Sequence, residues 1–144
     1  MNLEEAVATA RAFQERSGAI RVVLLLEHEG EPVLVDCDGP TITVTQDDQT
    51  TPAARTDTPP KPLHRLTPVP ASAISIDTET GQLSAPLGTI EHLARATLDL
   101  ATAFGARTVA TAEFATRDPQ TPITFAAREG EPVLLGAGDE QFEL

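Results

Sequence analysis

His28, Asp36, Cys37 and Asp38 are the side chains of this sequence whose types and spacing come nearest to a reactive group. An imidazole, a thiolate and two carboxylates on adjoining strands make a donor set for zinc, or a cysteine nucleophile with a histidine base. The set is thin. Cys37 is the one cysteine in 144 residues, so no second thiol completes a zinc site. His64 falls in a proline-rich stretch and His92 in a helical one, both away from the strands in question. The plainer reading is a strand end, Asp36-Cys37-Asp38, running into a turn at Gly39, with Cys37 a small half-buried apolar residue. That reading gives no catalytic residue, no metal ligand and no cofactor. A small enzyme or metal protein using His28, Cys37 and the flanking aspartates is the alternative.

Other groupings carry less chemistry. Asp36 with Asp38, or Glu129 and Glu131 with Asp139 and Glu140, supply oxygens for a divalent cation but lack the spacing of a calcium loop. Gly136-Ala137-Gly138 looks like part of a phosphate loop, yet no Lys-Ser/Thr pair and no helix follow it. Arg95, Arg107, Arg117 and Arg128 offer an anion patch, although arginines in so acidic a chain more often pair with carboxylates.

The elements that position these residues come in a doubled order. Glu-Gly-Glu-Pro-Val-Leu occurs at residues 29–34 and again at 129–134, each copy downstream of an amphipathic stretch. In the first stretch Leu3, Val7, Ala10 and Phe13 (with Ala6 beside them) predict a helix over residues 2–17 ended by Gly18. In the second, Ile90, Leu93, Ala94, Thr97, Ala101 and Phe104 predict a helix over 89–104, capped by Thr89 and ended by Gly105. Strands are expected at 21–28, 32–37 and 41–45, then at 74–77, 108–116, 122–128, 132–136 and 141–144. Residues 22–26 are apolar at every position, as in a strand covered on both faces. Each hexapeptide reads as a hairpin, and Pro32 and Pro132 begin strands, where proline blunts an edge. Residues 46–70 hold six of the twelve prolines and read as a semi-extended connector that makes neither ladder nor helix. Within it, Pro59-Pro60-Lys61-Pro62 is better explained as a stiff link than as a polyproline ligand.

The expected architecture is one α+β domain over residues 1–144. It holds a duplicated helix-plus-antiparallel-strands unit with the helices on one side of the sheets. The first repeat spans 1–46, the linker 47–70 and the second repeat 71–144. Such a unit resembles the building block of the DNA sliding clamps. The second half carries the likeness in the helix over 89–104, then Thr108-Val109-Ala110-Thr111-Ala112-Glu113-Phe114, Pro122-Ile123-Thr124-Phe125, Val133-Leu134-Leu135-Gly136 and Gln141-Phe142-Glu143-Leu144. The first half follows it from Leu3 to Thr45 without a leading strand. The resemblance implies one clamp-like domain. The helices depart from that family: Glu4, Glu5 and Glu15 stand against Arg11 and Arg16, and Glu91 and Asp99 against Arg95, so neither offers the basic face that lines a clamp's pore.

Charge narrows the function. Ten basic against 22 acidic side chains give −12, which argues against direct nucleic-acid binding, since contact with phosphates relies on a surplus of Lys and Arg. No signal-like segment opens the chain, and no apolar run approaches the length of a membrane span. A soluble cytoplasmic protein without a membrane partner is expected. The leading reading is a non-catalytic interaction or assembly module, homo-oligomeric, with Gln141, Phe142, Glu143 and Leu144 as an association edge. An acidic nucleic-acid mimic that inhibits a basic partner is a further alternative.

Overall fold

The computed structural model describes residues 3–54, 57–63, 66–77, 79–80 and 82–144. Two helices and ten strands follow one another as α1 (Leu3–Ser17), β1 (Arg21–His28), β2 (Glu31–Asp38), β3 (Thr41–Gln46), β4 (Gln49–Pro52), β5 (Ser75–Ile76), β6 (Leu83–Ser84), α2 (Thr89–Thr102), β7 (Val109–Phe114), β8 (Ile123–Arg128), β9 (Leu134–Ala137) and β10 (Glu140–Glu143). Eight strands form one antiparallel sheet in the order β10-β9-β8-β7-β1-β2-β3-β4, while β5 and β6 make a separate two-stranded ribbon. Each helix is thus followed by a four-strand meander. The meanders join where the first strand of one pairs with the first strand of the other, Val23 opposite Thr111 and Leu25 opposite Val109. The fold is α+β.

Both helices lie on one face of the sheet. Strand periodicity decides which side chains meet them. Val22, Leu24 and Leu26 on β1 point the same way as Val33, Val35 and Cys37 on β2 and as Ala110, Ala112 and Phe114 on β7, and all are buried. Helix α1 packs on β1 and β2, and α2 packs on β7 and β8. Phe13 of α1 and Leu93 and Leu100 of α2 fill the layer between. Phe114 and Phe125 meet edge-on, with ring centroids 5.8 Å apart and planes at 80°, the arrangement aromatic quadrupoles favour.

Several expectations are corrected. The connector does form a ladder, because β4 pairs with β3 from Thr43↔Pro52 to Gln46↔Gln49. Asp47 and Asp48 take φ of 54° and 61°, the left-handed pair that a tight hairpin turn requires and that aspartate tolerates. Thr50 and Thr51 supply β-branched residues, and Pro52 closes a strand at the edge of the sheet, where its missing N–H is harmless. The first meander therefore has four strands rather than three. Thr89 is not the cap of α2. Gly88 holds that place at φ 81° with no side-chain hydrogen bond, and its carbonyl accepts from the His92 N–H at 2.9 Å.

Both copies of the hexapeptide lie in hairpins, as expected, but with different turns. Glu29 and Gly30 (φ 54° and 81°) form a two-residue turn that brings Glu31 directly opposite His28. At the second copy only Gly130 has positive φ, β9 does not start until Leu134, and the Val133 carbonyl is taken by the Leu144 N–H at 2.9 Å. The second copy is also a hairpin, joining the antiparallel pair β8–β9 through a turn closed by the Glu131 N–H to the Arg128 carbonyl at 3.2 Å, but its loop is longer than the two-residue turn of the first copy. Nor do Pro32 and Pro132 blunt an edge: β2 and β9 lie inside the sheet, and its outer strands are β4 and β10. Pro32 sits one residue beyond the last β2–β3 pair, Val33↔Gln46, so its missing N–H falls outside that ladder. The strand expected at 74–77 is reduced to Ser75–Ile76. The linker histidine His64 lies outside the described residues.

Polar side chains tie the helix layer to the strands. The Gln14 amide nitrogen donates towards the carbonyls of Ile20, Cys37 and Gly39 at 3.0–3.2 Å. Arg11 donates to the Gln14 side-chain oxygen at 2.7 Å and to the Gly39 carbonyl at 2.6 Å. The proline-rich segment is a strap rather than a free link. The Lys61 N–H donates to Thr9 Oγ1 at 2.9 Å, its ammonium lies 3.4 Å from Glu5, and it sits 5.4 Å from the Phe104 ring centre. Leu63, Leu66 and Val69 pack against the core. Replacing Gln14 by Ala would remove this tie, while the Ile20 carbonyl keeps the Gly39 N–H and the Gly39 carbonyl keeps Arg11, so the cost is that of a hydrogen bond lost, about 0.5–1.5 kcal/mol. Chemical denaturation of Gln14→Ala should show a loss in that range, while Leu87→Ala, at a fully exposed side chain, should move the midpoint hardly at all.

Candidate functional site

Strand register disperses the reactive set. His28 is at one end of the β1–β2 hairpin, opposite Glu31, and Cys37 is near the other, opposite Val22. Six residues of β1 separate those positions, about 20 Å at the usual rise of roughly 3.3 Å per residue. Alternation then parts the neighbours: Cys37 faces the helices and is buried, whereas Asp36 and Asp38 face the opposite side of the sheet. Burial pushes the Cys37 thiol up to about 11, with Asp36 adding to the rise and Arg11 opposing it. Asp36 is engaged with Arg21 in a two-point ion pair, Nε to Oδ1 at 3.0 Å and Nη2 to Oδ2 at 2.7 Å. No group of three or more His, Cys, Asp or Glu side chains among the described residues is placed to hold a metal ion.

The other candidate groups divide similarly. Gly136 lies in β9, and Gly138 takes φ 62° between β9 and β10, so this stretch is a hairpin and not a phosphate cradle. Arg117 is fastened to the segment before β5, its Nε donating to the Ser72 carbonyl at 2.6 Å. Arg107 reaches Glu27 at 3.3 Å across the β1–β7 junction. Asp77, Glu79, Asp139 and Glu140 do share the rim of one cavity of about 330 Å³, where Asp77 is held below the usual carboxylate range by hydrogen bonds from the N–H groups of Glu79 and Thr80. A smaller hollow of about 160 Å³ lies between α1, Ile42 and the strap at Thr58 and Pro60. The smaller is below the roughly 300–1,000 Å³ typical of small-molecule pockets, and the larger has four carboxylates and no basic group in its lining.

The features that stand out belong to the sheet. β10 pairs with β9 on one side and with no strand on the other among the described residues. Gln141, Phe142, Glu143 and Leu144 are all exposed there, Phe142 by 37% and Leu144 by 51%. The second feature was missed in the sequence. Strand β1 is covered on one face only: Val23 is half-buried and Leu25 is 44% exposed. Beside them on this open face lie Leu34 of β2, Val109 of β7, Ala126 of β8 and Leu134 of β9. The uninterrupted apolar run was its signal, because a strand reads that way when both faces are destined for cover.

Comparison with protein-family models, with curated proteins and with solved structures finds no match. Among the described residues, no helix is long and apolar enough to cross a membrane.

The raised thiol gives a direct check on the cysteine. A group whose folded pKa lies above its unfolded value stabilises the fold fully below the unfolded pKa, and that contribution is lost as pH rises towards the folded one. For Cys37 the loss should fall between about 9, the ordinary thiol value, and about 11. At pH 8 a disulfide reagent should leave the native chain unmodified over minutes and titrate one thiol per chain in denaturant; rapid native labelling would show an accessible thiolate.

Proposed function

We propose that this chain is a non-catalytic protein-interaction module that works through its sheet, with β10 as an edge onto which a partner's strand can add. The observation that carries this reading is the unpaired side of β10, with Phe142 and Leu144 exposed along it. An open edge offers main-chain N–H and C=O groups to another strand, and its alternate side chains supply the apolar contact. The same element order in both halves supports a duplicated, clamp-like unit as its framework. Encircling DNA is not part of the proposal, because helix α1 opens on Glu4 and Glu5 and a net −12 repels phosphate. The scattering of His28, Asp36, Cys37 and Asp38 favours this reading over an enzyme or metal site. Homo-oligomerisation and a cytoplasmic setting are parts of the same proposal.

Removing residues 141–144 tests the edge. The full chain should show a solution mass that rises with concentration and stays above that of the shortened chain. Light scattering with refractive-index detection is the suitable measurement, since the chain has neither Trp nor Tyr. Identical masses and melting profiles would remove β10 from the interaction.

A further inference from the structure

We infer that the open face of the eight-stranded sheet is covered by the same face of a second copy of this chain. The inference deepens the interaction reading by naming a partner, and it uses a surface separate from the β10 edge.

Size is the first argument. Eight strands at a spacing of about 4.8 Å, each roughly 18 Å long, present about 700 Å² of sheet, near the roughly 800 Å² per partner of a standard stable interface. Composition is the second. The apolar side chains on this face cluster, with Leu34, Leu25 and Val109 in one row across the strands and Val23, Ala126 and Leu134 in the next, where Thr111 stands between Val23 and Ala126. Leu25, the most exposed of them, is at the centre.

The third argument is charge, and it selects a second copy. Stacked sheets lie about 10 Å apart with their strands nearly aligned. A two-fold axis parallel to the strands, along the β1–β7 seam, exchanges the positions of these two strands. Because Leu25 pairs with Val109 and Arg21 with Glu113 across that seam, the rotation sets Leu25 over Val109 of the second copy, Val23 over its Thr111 and Arg21 over its Glu113. Arg128, which pairs with Val109, is set over Leu34 of the second copy, two residues along β2 from Asp36, and Ala126 is set over that Asp36. Leu25 thus meets Val109 and Arg21 meets Glu113 on both sides of the axis, with Asp36 beside Arg128. Within one copy the Arg21–Asp36 and Arg107–Glu27 pairs already neutralise charge on or beside this face, so two chains of net −12 can approach here. One self-complementary patch on both partners is what two-fold association requires.

Absolute mass by light scattering tests this with three chains: the unaltered protein, Leu25→Glu and Thr111→Lys. The unaltered chain should have twice the 15.2 kDa chain mass or a multiple of that dimer. Each substitution should halve the dimer mass while the far-ultraviolet circular dichroism is unchanged. Should Leu25→Glu fail to fold, Thr111→Lys decides. On the unaltered chain, a mixed-isotope sample should give intermolecular methyl contacts between Leu25 and Val109. A monomer at the highest concentration reached, or a dimer that neither substitution weakens and that lacks those contacts, overturns the inference. A dimer that persists when residues 141–144 are removed but dissociates on Leu25→Glu supports the face and counts against the edge. The reverse pattern supports the edge and overturns the face.

Discussion

A sheet has two faces, and this chain carries helix enough for one. The rest of the structure follows from that constraint. Two amphipathic helices of 15 and 14 residues are laid side by side over the central strands. Every large buried side chain of β1, β2, β7, β8 and β9 then has to point towards them. The hydrophobic contribution, roughly 25 cal/mol per Å² of apolar area removed from water, is therefore gathered in a single layer. Aromatics are scarce, with five Phe and no Trp or Tyr. Close packing in that layer depends on Ala, Val and Leu placed at alternate positions, with Phe13, Phe114 and Phe125 as the bulky members.

Polar contacts fix how that layer sits. Hydrophobic burial has no direction, so sliding a helix along the sheet would change buried area little. Gln14 removes the freedom by directing its amide at carbonyls from three parts of the chain, the approach to β1, the end of β2 and the β2–β3 turn. The strap does the same from above. Its lysine, Lys61, is held between Glu5, Thr9 and Phe104 and so spans the two helices. Neither contact has a local sequence signature, since both partners are far apart along the chain.

The repeated hexapeptide is a controlled comparison of local and non-local forces. Six identical residues make a two-residue hairpin turn at 29–30 and a longer hairpin loop, closed by the Glu131 N–H to the Arg128 carbonyl, at 129–133. The first copy is followed by a strand with neighbours on both sides. The second leads to β9, whose outer partner β10 reaches back far enough for Leu144 to take the Val133 carbonyl. Local preference permits both forms, and the long-range pairing chooses between them.

Periodicity was legible in the sequence because it is a property of consecutive residues. It gave both helices within two residues at each end, most strands, and the helix-facing stripes Val7-Ala10-Phe13 and Leu93-Ala94-Thr97. Its expectation of cover on both faces of β1 is not met, since Val23 is half-buried and Leu25 exposed on the open face. Asp47-Asp48 carried a turn signal that the nearby prolines obscured, and β4 was missed for that reason. The distances that decide chemistry lie between residues far apart in the chain or on opposite faces of a strand. His28, Asp36, Cys37 and Asp38 look close in sequence, yet antiparallel register separates His28 from Cys37 along the sheet and alternation turns Cys37 away from both aspartates. Sequence alone thus determined both helices, most of the strands and which side chains are apolar. Tertiary structure alone decided which strand lies beside which, and that the uncovered surface is a sheet face and an edge, because strand order is set by pairings that no short stretch of residues encodes.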